Sequence, residues 1–151
     1  MHGGEFMPLE DEIHAELPKD YRELFKIENV ENGNRAKREY STIGQRKRRK
    51  EGGFGFGYHR DFNGGKSLFV ERWIPSNPPI ISSWPRLQTL ANEKGWKILI
   101  SPKEGATSII LNLQDIKVEK NIIETIVSFL DTVSQQETGM SFPLAAEVGL
   151  F

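Results

Sequence analysis

GGFGFGYHRDFNGGKSLFVERWI, residues 52–74, reads as two strands joined by a turn. Phe54, Phe56 and Tyr58 alternate with Gly55 and Gly57, the period-2 signature of an extended segment with aromatics on one face. Asp61-Phe-Asn-Gly-Gly65 supplies turn chemistry, and Ser67–Ile74 is rich in β-branched and aromatic strand formers. Pro75, Pro78 and Pro79 then end the second strand. Downstream, Ser82 or Ser83 caps a helix with Pro85 in its first turn; Trp84, Leu87, Leu90 and Ala91 line one side, and Gly95 stops it. Trp96, Ile98 and Ile100 open a second hairpin that turns at Pro102–Gly105 and returns through Ser108–Leu113. A long helix follows, capped at Asp115 or Asn121, with Ile122, Ile123, Ile126, Val127, Leu130 and Val133 on its apolar face.

The order ββαββα predicts an α+β fold: a single antiparallel sheet of about four strands with its helices on one face. Ahead of it, Leu9–Val30 is expected to hold one short helix, with Pro18 in a first turn and Tyr21, Leu24 and Phe25 as its apolar stripe. The expected division is a charged N-terminal segment over 1–51, an α+β core over 52–136 and a loosely packed C-terminal tail over 137–151. Trp73, Trp84 and Trp96 are read as core anchors. Met1–Phe6 shows no periodicity and does not enter the fold reading.

With 151 residues the chain is long enough to bury one hydrophobic core. It has no cysteine, which excludes disulfides, thiolate zinc sites and cysteine nucleophiles. His2, His14 and His59 are too scattered for a zinc cluster. No apolar run reaches membrane-spanning length and none follows the N-terminus, so the expected setting is intracellular, cytoplasmic or nuclear, with no membrane partner. No cofactor is implied.

The net charge of −1 conceals a segregation. Residues 1–31 hold nine acids against three bases, whereas residues 35–50 hold eight bases against one acid. Arg35, Lys37 and Arg38 lead into Arg46-Lys-Arg-Arg-Lys50, five cations in succession (Arg46, Lys47, Arg48, Arg49 and Lys50). Lysine and arginine neutralise phosphates and release condensed counterions, and arginine adds bidentate geometry. Only Tyr40 and Ile43 interrupt the run with bulky apolar groups, so it is not expected to bury a face of its own.

Immediately afterwards, Gly53-Phe-Gly-Phe56 resembles the aromatic core of the RNP1 strand of RNA-recognition and cold-shock domains. In those families exposed rings on this strand stack on bases. The resemblance covers residues 53–70 and implies Phe54 and Phe56 as stacking rings, with Phe69 as a third. The leading expectation is thus a nucleic-acid-binding domain, for DNA or RNA, in which Tyr58, His59, Arg60 and Lys66 of the first hairpin add contacts. A protein-interaction module is the alternative, with the acidic and basic segments steering a protein partner or a homodimer.

Enzymatic readings find less in the sequence. Gly64-Gly-Lys-Ser67 resembles the end of a phosphate-binding loop, but position 60 is arginine where the motif needs glycine, and a strand follows where it needs a helix. His59-Arg-Asp61 lacks the asparagine that a protein-kinase loop would carry at position 66. No G-x-S-x-G elbow occurs. The remaining enzymatic alternative is a small magnesium-dependent nuclease in which Asp61 and Glu71 hold the cation beside Lys66.

Overall fold

The structure is a computed structural model that describes residues 10–27, 40–45, 52–60, 66–113 and 119–151. Along the chain lie α1 (Glu10–Glu16), α2 (Lys19–Arg22), β1 (Phe25–Ile27), β2 (Tyr40–Gln45), β3 (Gly53–Arg60) and β4 (Lys66–Ile74). Then come α3 (Trp84–Lys94), β5 (Lys97–Lys103), β6 (Ala106–Asn112), α4 (Glu119–Thr138) and α5 (Phe142–Glu147). The strands form one sheet in the order β1-β2-β3-β4-β6-β5, with every neighbouring pair antiparallel. Because β6 is antiparallel to both β4 and β5, the connection through α3 makes β5 parallel to β4, one strand removed.

Register sorts the side chains into two faces, since residues directly opposite one another project from the same side. Phe56, Val70, Leu111 and Ile98 form one row across four strands, and Phe54, Arg72, Ile109 and Ile100 form the next. These rows lie under the helices, where they join Ile13 and Leu17 of the first helical region, Leu87 of α3 and a stripe of α4. That stripe is Ile122, Ile126, Phe129, Leu130 and Val133, the i, i+4, i+7, i+8, i+11 spacing of one helical face. All the described helices therefore serve a single core on one side of the sheet, as the α+β reading expects. The helix expected after Ser83 is α3, with Ser83 at its N-cap, Pro85 in the first turn and Gly95 in the left-handed conformation (φ 72°) at its end.

Three parts of the chain depart from expectation. The single helix predicted over Leu9–Val30 is two short helices, broken at Pro18, after which Phe25 enters β1. Pro18 stands just before α2, where its missing N–H costs no helical bond. Tyr40–Gln45, read as part of a charged run that would bury no face of its own, is a strand paired on both sides by β1 and β3. Its ladder comes from the neighbouring strands, so sparse apolar residues do not prevent it. The C-terminal tail is not loose: Gly139 (φ 77°) ends α4, Ser141 caps α5 through the Leu144 N–H, and Phe142, Ala145 and Phe151 are core.

Aromatic rings close that end of the core. Phe54 meets Phe142 and Phe151 edge-on at 4.9 and 5.0 Å between centroids, and Phe25 meets Phe56 at 5.3 Å. Edge-to-face contacts of this kind add to the burial of the rings themselves.

Candidate nucleic-acid interface

Arg35, Lys37, Arg38, Arg46, Lys47, Arg48, Arg49, Lys50 and Asp61 lie outside the described residues. Their flanking strands nevertheless fix where the chain leaves and re-enters the sheet. Tyr40 pairs with His59 and Gly44 with Gly55, so Gln45 and Gly53 lie at one end of a β2–β3 hairpin. The five-cation run belongs to the connection between them. Six residues separate Gln45 from Gly52.

The other predicted contacts belong to the opposite end. Arg35, Lys37 and Arg38 precede Tyr40, the far end of β2. Tyr58, His59 and Arg60 close β3, and Lys66 opens β4 as the register partner of Arg60. At ~3.4 Å per residue, the six-residue β2 sets Tyr40 and Gln45 roughly 17 Å apart.

The expected stacking rings need correction. Phe54 is 3% exposed and Phe56 fully buried, both on the helix-covered face within the aromatic cluster. The strand alternates as predicted, but its aromatic face is the core face, and the intervening glycines occupy the other. Phe69 does lie on the other face of the sheet, helix-free among the described residues, opposite Gly57, yet it is only 5% exposed. None of the three presents an open ring.

Trp73 is the corresponding omission. It was read as a core anchor along with Trp84 and Trp96, which do pack against the core. Trp73 instead shares the helix-free face with Phe69 and Glu71 and is half-buried there. Its row is Gly53, Trp73, Ser108 and Ser101, and the next is Gly55, Glu71, Ile110 and Leu99. The signal was obscured because both faces of β4 carry large apolar groups and a charged residue.

That second charge, Arg72, is structural. Only 2% exposed, its guanidinium donates from Nη2 and Nε to the two carboxylate oxygens of Glu137 at 2.9 and 3.1 Å. Nη1 donates to the Trp73 carbonyl at 2.9 Å and the Gly53 carbonyl at 3.4 Å. The rings of Phe54 and Phe151 lie 5.0 and 5.2 Å from its central carbon. An arginine so fully engaged has nothing left for a ligand; it ties β3 and β4 to the last turn of α4. Gly52 (φ 104°) makes this close approach feasible, since a Cβ there would stand 2.0 Å from the Trp73 carbonyl oxygen and 2.7 Å from Arg72 Nη1.

A second polar anchor joins the N- and C-terminal parts. Tyr21 Oη donates to Asp131 Oδ2 at 2.5 Å, while Asp131 Oδ1 accepts the Phe142 N–H at 2.9 Å. Burial, reinforced by the Asp131 hydrogen bond and charge, pushes the phenol well above its ordinary range, so it remains a hydrogen-bond donor. Thr107 similarly binds Ser76 O and Asn77 Oδ1, holding the segment after β4. Among the described residues no group of three or more metal-ligating His, Asp or Glu side chains occurs, and no helix is long and apolar enough to cross a membrane. Glu71, the described half of the expected nuclease pair, is half-buried on the helix-free face. Compared with known proteins, the chain matches no family model, no curated protein and no solved structure.

Proposed function

We propose that this protein binds nucleic acid, with the cationic β2–β3 connection engaging the phosphate backbone. The observation that supports this reading is the attachment of five successive cations, Arg46–Lys50, at both ends to neighbouring strands of one sheet. A short segment tied at both ends has less freedom to lose on binding than a free tail of the same charge. Each phosphate it neutralises releases condensed counterions to solution. On the same reading, Arg35, Lys37 and Arg38, which precede β2 in the sequence, and His59, Arg60 and Lys66 at the ends of β3 and β4 add further contacts.

Titration of labelled oligonucleotides over a range of salt tests the proposal. With about five phosphates engaged, log K falls against log salt with a slope near −3.5 on single strands or −4.5 on duplex. Reversing two charges, Arg48→Glu with Arg49→Glu, weakens binding by more than about tenfold and flattens the slope by at least about 1.4. Absence of binding at low salt, or a salt-independent affinity, overturns the reading.

A protein-interaction module remains the second reading, favoured by a different observation. Leu144, Val148 and Leu150, on α5 and just beyond it, are 48%, 55% and 42% exposed. Apolar groups gathered in one short segment are a feature of protein contact surfaces rather than phosphate sites. Immobilised heparin separates the two readings: the nucleic-acid reading expects retention that salt reverses, and the protein module expects none.

A further inference from the structure

We propose that β5 is a homodimerisation edge, on which a second copy of this chain pairs antiparallel and two-fold about Leu99. The proposal is independent of nucleic-acid binding. Of the two outer strands of the sheet, β1 has three residues and β5 has seven. An outer strand carries a row of backbone donors and acceptors that no neighbouring strand satisfies.

The phase of that row follows from the hydrogen bonds inside the sheet. Opposed residues of antiparallel strands exchange both backbone bonds at alternate pairs. The Leu113 N–H donates to the Leu68 carbonyl at 2.7 Å, so Leu113, Leu111, Ile109 and Thr107 bond toward β4. Asn112, Ile110 and Ser108 then bond toward β5, to Lys97, Leu99 and Ser101. Ile98 and Ile100 therefore turn their N–H and C=O groups away from β6, and among the described residues no further backbone group bonds to either. Leu99 lies between them, 51% exposed on the face away from the described helices.

A second copy fits this row in one register. With the axis at Leu99, each Ile98 faces Ile100 of the other copy, and each such pair exchanges both backbone bonds. Leu99 meets its own copy at the axis, in a pair without backbone bonds, where side chains approach most closely. Self-pairing thus covers the one exposed large apolar group of β5 with another. The next position outward pairs Trp96 with Pro102. The Trp96 N–H is already bound to the Ala91 carbonyl at 2.9 Å and Pro102 has no N–H, so the ladder stops there with no donor stranded. On the Leu99 face Lys97 stands opposite Ser101, so like charges are not opposed. The edges left over are the three-residue β1 strands, which favours a closed pair over an open fibre.

Sedimentation velocity of the full chain from about 5 to 500 µM reads the association, which so narrow an interface makes weak and concentration-dependent. The wild type is expected to pass from monomer toward dimer over that range. Leu99→Lys sets two cations on the axis and should raise the dissociation constant more than about tenfold, while circular dichroism shows the monomer still folded. A geometric readout uses the absence of cysteine from the chain. In Leu99→Cys the two Cα atoms on the axis lie about 4.5 Å apart, within disulfide reach, and mild oxidation yields a covalent dimer. In Ser101→Cys the two positions lie roughly 13 Å apart along the strands, and cross-linking is at least about tenfold slower. A wild-type chain that stays monomeric throughout, a dimer that survives Leu99→Lys, or equal cross-linking at 99 and 101 overturns the proposal. A dimer lost in Leu144→Asp but kept in Leu99→Lys puts the contact on α5 and overturns it likewise.

Discussion

The two faces of the sheet are built from the same strands, yet they use charge and aromatic groups in opposite ways. On the helix-covered face, Arg72 is sealed in by Glu137, two carbonyls and two phenylalanine rings. On the helix-free face, Glu71 and Trp73 are half-buried, Glu71 in register with Gly55 and Ile110 and Trp73 with Gly53 and Ser108. One residue of shift along β4 separates a side chain sealed from water from side chains that water still partly reaches. Residue type alone therefore does not identify a binding residue. What decides is which face it occupies and whether the fold has already used it.

The comparison is broken most directly at the ion pair. Glu137 lies in the last turn of α4, where the helix dipole disfavours a carboxylate, and its side chain is 19% exposed against 3% for Arg72. Glu137→Leu leaves a buried guanidinium without its counter-ion and is expected to cost about 4 kcal/mol. Arg72→Met should cost slightly less, about 3 kcal/mol, because the stranded carboxylate can turn toward water. Combining the two changes should restore most of the loss, since both charges are then gone. Urea unfolding measures all three. A loss below about 1 kcal/mol in Glu137→Leu would mean that the helix-covered face tolerates a free charge, and the contrast between the faces would collapse.

Much of this architecture is legible in the sequence, for physical reasons that differ between elements. The Phe54–Tyr58 alternation, the Ser83–Pro85 start, the Gly95 stop and the apolar stripe of α4 are local signals, and each becomes an element. β2 is not legible in this way, because YSTIGQ owes its conformation to strands on both sides rather than to its own apolar pattern. The tail was similarly obscured: its glycines and Pro143 look like loop punctuation, whereas Gly139 and Ser141 separate two helices and Phe142 fills the core. At the candidate site, alternation correctly groups Phe54 with Phe56 but does not say which side the helices cover. Arg72 is the clearest case, since its burial depends on Glu137, 65 residues away.

A smaller effect sharpens the contrast through pH. Tyr21 lies with the helices, and its phenol is raised by burial first and then by Asp131. A folded-state pKa above the unfolded value means that the native state holds the proton more tightly. The associated stability is complete below about pH 10 and declines as pH rises above it, toward the folded-state pKa. Tyr21→Phe should therefore lose about 1 kcal/mol at neutral pH and show a shallower decline in alkali than wild type. Parallel stability curves above pH 10 would show that the Tyr21–Asp131 bond does not tie the two ends of the chain together.

Leu99 gives the smallest expected effect and the sharpest statement about the helix-free face. It is 51% exposed in the row that contains Gly55, Glu71 and Ile110. A side chain that keeps half its surface in water gains little from folding, so Leu99→Ser should change stability by no more than about 0.5 kcal/mol. β5 is an edge strand, with no further neighbour to fill the space that Leu99 leaves. A cost near 2 kcal/mol would mean that this edge of the face is packed as a core. A small cost leaves the face free to evolve for contact, because residues there can change without unfolding the sheet.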